Sequence, residues 1–525
     1  MISTNWEDRD LDLKDGTSLR SRVWIPGEGG PWPTLLMRQP YGREIASTIT
    51  YAHPDWWAYQ GYLVIVQDVR GQGGSEGQFS GFEQEASDTS ETHEWVRSLP
   101  ECNGLLGTYG FSYQGLTQLL AKEGSRPPEC TAPAMTGLNE EQHWSSEGGA
   151  FWWHISIAWG LQLAAQKLSR EGDKEGWEEI RKSFDSNTYL HQGLGLLQKH
   201  DPKGMALKWF EQSNKLSGEW IKHEPLNSWL CKPMLLIGGW WDPHLKGVLE
   251  IYEKSLQAGG KPELHIGPAS HLQWWEGVQK IHLNFFNRHL KKEKRIKFPT
   301  SNKNIWNITT NKWEAYKSFK STKHFWSLRS NGLSSIDSND GILTFNKGGE
   351  GSSIIVHDPW RPAPSIGGHL SPIPGDANRE VIDNRSDVAT FTSKPLNKSI
   401  LLQGIPSLDL FAKSDQESFD LFVVLSIIYK NETIVKQLST GVKRIRTNND
   451  RKNVKRNIKL QPMSAKFPRG AKIRISIAGA AWPAIAINPG KINCSCEAPK
   501  LECLVTTISI QLSQSKLQFF PLVSK

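Results

Sequence analysis

Gly107-Thr108-Tyr109-Gly110-Phe111-Ser112-Tyr113-Gln114-Gly115 reads as a strand running into a tight, glycine-flanked turn with a serine at its apex. Leu116, Leu119 and Leu120 follow at helical spacing, which predicts a helix leaving the turn. A serine on such an elbow stands above the sheet with a helix N-terminus behind it. Its oxygen can attack there, and the next backbone N–H can stabilise the oxyanion. The stretch predicts a serine hydrolase if a histidine and an acid follow in suitable places.

A literal G-x-S-x-G search selects a different serine. Gly73-Gly74-Ser75-Glu76-Gly77 matches that pattern, whereas the Ser112 motif has its last glycine one place late. The run after Ser75, Gln78-Phe79-Ser80-Gly81, is polar and glycine-broken, so no helix opens there. Ser75 is read as part of a structural loop and Ser112 as the nucleophile.

The acid and the base have the same grammar. Pro233-Met234-Leu235-Leu236-Ile237-Gly238-Gly239-Trp240-Trp241-Asp242 is a short apolar strand ending on an aspartate. Glu263-Leu264-His265-Ile266-Gly267-Pro268-Ala269-Ser270-His271 is a strand followed by a loop that carries a histidine. Asp242 could instead cap the segment after Pro243, with His244 beside it. His265, inside the apolar run, is better read as a core histidine. The order Ser, Asp, His is that of an α/β-hydrolase. In that reading His271 takes the proton of Ser112, and Asp242 orients the imidazole and stabilises its cation.

Two earlier apolar runs, Thr34–Arg38 and Leu63–Gln67, read as buried parallel strands. Tyr41, Asp68, Ser112, Asp242 and His271 then all sit just after strands, at the carboxyl edge where open α/β sheets bind ligands.

These segments resemble the CocE/NonD hydrolases, which include cocaine-esterase-like enzymes, α-amino-acid ester hydrolases and Xaa-Pro dipeptidyl-peptidases. The resemblance is carried by Arg38-Gln39-Pro40-Tyr41-Gly42, Gln67-Asp68-Val69-Arg70-Gly71 through Gly77, Gly110–Gly115, Gly239-Trp240-Trp241-Asp242 and Gly267–His271. It continues through Asp358-Pro359, Arg385-Ser386-Asp387-Val388 and Asn488-Pro489-Gly490, so it covers nearly the whole chain. It implies a Ser112, Asp242, His271 triad and an oxyanion hole made by the Tyr113 N–H and the Tyr41 hydroxyl. It also implies a jelly roll at the C-terminal end. Asp68 and Arg70 are expected to brace the loop under the nucleophile.

The departures bear on substrate. In α-amino-acid ester hydrolases, further carboxylates after the triad aspartate grip an ammonium group. Here Pro243-His244-Leu245-Lys246 follows instead, which counts against a free α-amino group. The family's dipeptidyl-peptidases also carry an added N-terminal region that these residues do not contain. Asn287 stands where the family often has aspartate, a change expected to be structural.

Composition agrees. Across 525 residues, 62 Lys and Arg against 54 Asp and Glu leave a net charge of +8, modest for the size. The basic stretch 443–459 has no aromatic partners and reads as a solvated loop or hairpin rather than a nucleic-acid surface. No apolar run approaches the roughly 20 residues of a membrane span, and Met1–Asp8 has no apolar signal core. Six scattered cysteines lack disulfide-scaffold or zinc spacing, so a reduced cytoplasmic protein without metal or cofactor is expected.

The expected organisation is an α/β-hydrolase core with a helical cap insertion, followed by a β-sandwich of jelly-roll type. The core comprises 1–141 and 227–304, the cap 142–226 and the sandwich 305–525. A helix is expected at Glu85–Ser98. Trp144, Trp152, Trp153, Trp159 and Trp177 lie in the cap, and Trp152 and Trp153, after Gly148-Gly149, are expected to line an apolar acyl pocket. The expected activity is hydrolysis of a carboxylic ester, or less readily an amide, in a small molecule or short peptide. An Xaa-Pro dipeptidyl-peptidase and an inactive core carrying a binding module are the alternatives. Oligomeric state, a homo-oligomer included, is left open.

Overall fold

The computed structural model describes residues 5–27, 29–45, 50–293, 302–316, 326–346, 348–446 and 454–522. Before the cap come β1 (Asn5–Asp12), β2 (Ser18–Ile25), β3 (Trp32–Gln39), β4 (Leu63–Asp68), β5 (Cys102–Phe111) and β6 (Cys130–Ala134). A small cap hairpin follows, β7 (Ser146–Glu147) and β8 (Ala150–Phe151). Then come β9 (Leu235–Trp241), β10 (Glu263–Ser270), β11 (Lys303–Asn307) and β12 (Lys312–Ala315). The hairpin aside, these strands form one ten-stranded sheet in the order β1-β2-β4-β3-β5-β6-β9-β10-β11-β12. From β4 to β11 every neighbour is parallel, and the antiparallel pairs lie at the two edges. Central strands such as β4 are buried along their whole length, which is why they read as unbroken apolar runs.

The helices α1 (Pro54–Tyr59), α2 (Glu85–Ser98) and α3 (Tyr113–Thr117) belong to the core, and α2 has the span expected of it. α3 is shorter than the leucine spacing predicts, and Leu119 and Leu120 lie beyond it. The chain closes there with a tight Leu119 N–H to Leu116 O bond of 2.9 Å. The Gln118 side chain turns in to bridge Thr108, Gly110 and Ala132 on β5 and β6.

The cap contains a π-helical turn at Glu141–Ser145, then α4 (Trp153–Glu171), α5 (Lys174–Asp185), α6 (Tyr189–His200) and α7 (Met205–Asn214). α4 stops at Gly172, whose φ is 76°, and Asp173 caps α5 by accepting from the Gly176 N–H at 2.9 Å. After α8 (Asn227–Leu230), α9 (Leu245–Gln257) and α10 (Val278–Leu290) complete the core.

The core does not end at residue 304. β11 adds in parallel to β10, with Leu264 level with Lys303, and β12 returns beside β11, so the sheet runs on to Ala315. Residues 305–315, assigned from the sequence to the sandwich, thus form the edge of the core sheet. From Trp326 the described chain is a second, eleven-stranded sheet, nearly closed on itself as a β-sandwich, with one short helix at Glu380–Asp383. Strand Ile400–Ser414 bends between partners: Ile400–Gly404 pairs with Met463–Phe467, and the rest pairs with Thr506–Phe520. The flanks of the basic stretch 443–459 are strands of this sheet, Val435–Arg446 and Val454–Lys459, while its middle lies outside the described residues. Among the described residues no helix is long and apolar enough to cross a membrane.

The sandwich packs directly on the cap. The Arg444 N–H donates to Gly148 O at 2.8 Å and the Trp153 N–H to Ala484 O at 3.0 Å. Gly148 has φ 56°, and a Cβ there would lie 2.0 Å from Val442 O. Gly148→Ala should therefore lower stability by about 1–3 kcal/mol through overpacking at this seam, read as a lower urea midpoint. An unchanged midpoint would mean that the seam is loose.

Burial sets the acid stability. His143 is held at about 3, and His154, His244 and His282 at about 4, each chiefly because burial disfavours the imidazolium. Below the ordinary imidazole value the unfolded chain binds protons that the folded chain refuses, so stability falls as pH drops from about 6.5 toward 4. Tm should decline through that window, and His244→Gln should flatten the decline. A Tm independent of pH between 6.5 and 4 would contradict the account.

Candidate active site

Ser112 follows β5 with φ 59° and ψ −126°, a conformation that L-residues seldom adopt. Its own N–H is used up, donating to Ala134 O at 3.0 Å and Met135 O at 3.1 Å at the end of β6. These bonds hold the elbow against the neighbouring strand and turn the side chain out of the sheet. Tyr113 is the first residue of α3, where a helical N–H has no intrahelical acceptor. The Tyr113 side chain points the other way, into the core. Its hydroxyl lies 2.8 Å from both Gly81 O and Glu85 Oε1, and its ring stacks on Phe82 at 4.6 Å.

Tyr41 lies two residues past β3. Its hydroxyl accepts from Trp159 Nε1 at 3.2 Å, and the Ser112 side chain lies beside it. Burial pushes the phenol up to about 12, so it keeps its proton at neutral pH.

The register of β9 and β10 brings Asp242 and His271 together. Trp241 is level with Ser270 after an irregularity between Gly267 and Ser270, so the two following residues leave the sheet side by side. Gly239 permits the approach, because a Cβ there would lie 2.3 Å from Ala269 O. Asp242 Oδ1 and His271 Nδ1 are 2.7 Å apart, with Asp242 fully buried and the His271 side chain 26% exposed. The bond fixes Nδ1 on the carboxylate and leaves Nε2 to act elsewhere. Phe111, next to Ser112, packs its ring 5.2 Å from the His271 ring.

Asp242 Oδ2 also accepts from the His244 N–H at 3.2 Å. His244 turns Nδ1 to His143 O at 2.5 Å, and its ring lies 4.9 Å from that of His271 and 4.6 Å from Trp144. Asp242, His244 and His271 each bring one ligand-type atom within 4.8 Å of the others, so this is where a cation could be held among the described residues. Asp242 Oδ1 and His244 Nδ1 already have the partners named above.

Trp152 and Trp153 do not face open space. Trp152 is 1% exposed and packs among Leu370, Phe422 and Ile485 of the sandwich, with its ring 6.0 Å from His244. Trp153 is fully buried, donates Nε1 to Leu190 O at 2.8 Å and packs against Phe210 and Trp482. The hairpin ending at Phe151 runs along the sandwich, so the residues after it are taken up by that seam rather than by a pocket wall. The half-buried Trp159 is the cap tryptophan that reaches Tyr41.

Two buried carboxylates of the cap base, Glu147 and Glu140, are paired. Glu147 meets His369 Nε2 at 2.7 Å and Lys246 Nζ at 3.1 Å. Burial works to raise its pKa, but Lys246 and the bond to His369 outweigh burial and hold it at about 2. Glu140 accepts from Trp209 Nε1 at 2.8 Å and meets His223 Nε2 at 3.0 Å.

Ser75 is 1% exposed and gives its hydroxyl to Asp68 O at 2.8 Å, holding a loop. Asp68 accepts from the Gly74 N–H at 2.8 Å and from the Arg43 guanidinium at 2.9 Å, while Arg70 pairs with Asp88 at 2.8 Å. Both therefore brace loops. Asn287 accepts from the Tyr62 hydroxyl at 2.6 Å and donates to Glu293 at 2.8 Å, far from Ser112 in role. His265 lies in β10, 1% exposed.

Two contacts to the site have no motif to announce them. One is Trp159 to Tyr41, described above. The other comes from the sandwich, where Gln461 Nε2 donates to Asp242 O at 2.7 Å.

Residues 15–273, which span Tyr41 to His271, match the X-Pro dipeptidyl-peptidase family (S15 family), and residues 297–516 match the X-Pro dipeptidyl-peptidase C-terminal non-catalytic domain. Over 481 residues the chain is 23% identical to the cocaine esterase of Rhodococcus sp. (strain MB1 Bresler), covering 83% of this chain and 82% of that one. It is similar in structure to an aminopeptidase from the marine sediment archaeon Thaumarchaeota archaeon, at 18% identity and a TM-score of 0.73 over 98% of this chain and 96% of the other. An α-amino-acid ester hydrolase matches at 18% identity and a TM-score of 0.72, over 98% and 96%. A CocE/NonD family hydrolase from Staphylococcus aureus matches at 16% and 0.70, over 99% and 94%. At these identities the solved structures establish the fold, core and sandwich together. The two family matches, which together span most of the chain, and the likeness to the cocaine esterase make this chain a member of the CocE/NonD hydrolases, serine hydrolases of the esterase and X-Pro dipeptidyl-peptidase type.

Proposed function

We propose that the protein hydrolyses a carboxylic ester through an acyl-Ser112 intermediate, with Asp242 and His271 completing the triad. The observation that carries this reading is the 2.7 Å bond from His271 to the buried Asp242, at the same sheet edge as a serine held at φ 59°. His271 Nε2 removes the Ser112 proton as Oγ attacks the ester carbonyl. The developing oxyanion takes hydrogen bonds from the Tyr113 N–H and the Tyr41 hydroxyl, both neutral donors in a site screened from water. The imidazolium, stabilised by Asp242, then gives its proton to the departing alkoxide. Water repeats the sequence on the acyl-enzyme, releasing the acid and restoring Ser112.

The charges around the site favour an ester without a free amino group. A peptidase that takes a free N-terminus needs an unpaired carboxylate near the serine. Glu147 is paired with Lys246 and bonded to His369, and Glu140 is held by Trp209 and His223. The residues after Asp242 supply His244 and Lys246 instead of acids.

The test compares kcat/KM for short-acyl and benzoyl aryl esters with that for glycyl-prolyl anilide. Esters should turn over quickly and the anilide negligibly, whereas efficient anilide cleavage would overturn the ester reading. Ser112→Ala should cost about 10⁴–10⁶-fold in ester kcat. Activity retained in that variant would remove Ser112 from the mechanism.

A further inference from the structure

Three polar contacts of α4 fall on one face. Trp159 Nε1 donates to the Tyr41 hydroxyl at 3.2 Å, and Gln166 Nε2 donates to the Tyr41 backbone carbonyl at 3.2 Å. The Arg170 guanidinium binds Gly71 O and, at 3.0 Å, Ser75 O. Positions 159, 166 and 170 are spaced by seven and four residues, so they share one side of the helix. That side grips the loops after both β3 and β4. Trp159 in turn stacks on Trp209 of α7, with ring centroids 5.6 Å apart and planes 20° apart.

An indole N–H is a donor only, whereas a phenol oxygen accepts and carries one proton of its own. With Trp159 donating to its oxygen, the Tyr41 proton points away from the indole, on the side where Ser112 lies beside the phenol. Donation to the phenol oxygen also polarises the O–H, which makes it a stronger donor toward developing negative charge.

We propose that Trp159 is a positioning residue that aims the Tyr41 hydroxyl at the oxyanion, so that the cap helix forms part of the catalytic apparatus. The inference rests on the oxyanion role given to Tyr41 under the proposed function. Trp159 needs no contact with substrate to act in this way. It works on transition-state stabilisation, so its loss appears in kcat more than in KM.

The experiment is a double-mutant cycle on ester hydrolysis with W159F, Y41F and the double variant. Y41F alone should lose about 10²–10³-fold in kcat, as expected for one oxyanion donor. W159F should lose about tenfold in kcat, roughly the worth of one hydrogen bond, with KM within about twofold. In the Y41F background, W159F should have no further effect. A benzothiophene isostere of the indole at position 159, which keeps shape and stacking but lacks the N–H, should reproduce W159F and separates the hydrogen bond from any packing defect. Losses that multiply in the double variant would overturn the inference while leaving Tyr41 in the hole, as would a full-rate isostere. A fully active Y41F would overturn the oxyanion reading itself and this inference with it.

Discussion

A fully buried carboxylate is the constraint around which this molecule is arranged. Asp242 has lost its water, and an unpaired charge in such a place would cost several kcal/mol. Its compensation comes from His271 Nδ1 on one oxygen and the His244 N–H on the other. The first depends on the parallel pairing of β9 and β10, where Trp241 and Ser270 end level and Gly239 lets the strands approach, while the second is local to the turn after β9. A shift of one residue in that register would separate the pair and leave the buried charge with the His244 N–H alone. Strand register, burial and the proposed chemistry are thus one requirement stated three ways.

The parts outside the sheet support the same edge. Gln461 of the sandwich binds the Asp242 carbonyl, while Glu147, Lys246 and His369 tie cap, core and sandwich in one buried charge group. The cap reaches the opposite side through α4, whose polar face holds the loops after β3 and β4. Catalysis of the proposed kind depends on donors that are oriented before substrate arrives. A nucleophile on a strained elbow with fixed neighbours on both sides meets that need. The sandwich, described in related proteins as non-catalytic, here contributes a hydrogen bond to the backbone of the acid.

Much of this was legible in the chain because the core obeys local rules. Buried parallel strands read as apolar runs, and the residues that follow them fall at one edge, so Tyr41, Ser112, Asp242 and His271 could be listed before any coordinates. Context also separated Ser112 from Ser75, whose hydroxyl is spent on Asp68 O. What escaped depends on tertiary placement. Trp152 and Trp153 read as pocket-lining tryptophans of the cap, but the hairpin before them packs against the sandwich and closes both rings off. Trp159 looks like any other helical tryptophan until the loop after β3 is folded beneath it. The edge strands β11 and β12 are short and carry no pattern of their own, and only their partner β10 identifies the sheet they join. Gln461 lies 219 residues from Asp242, and no spacing could announce that contact.

The central claim is that Ser112 is the nucleophile made reactive by His271 and Asp242. The most direct measurement is mass-spectrometric mapping of the serine that reacts with a fluorophosphonate ester, which traps activated serines covalently. The account predicts one adduct per chain, on Ser112, and none in His271→Ala. An adduct on Ser75 or another serine, or labelling of Ser112 undiminished without His271, would contradict it.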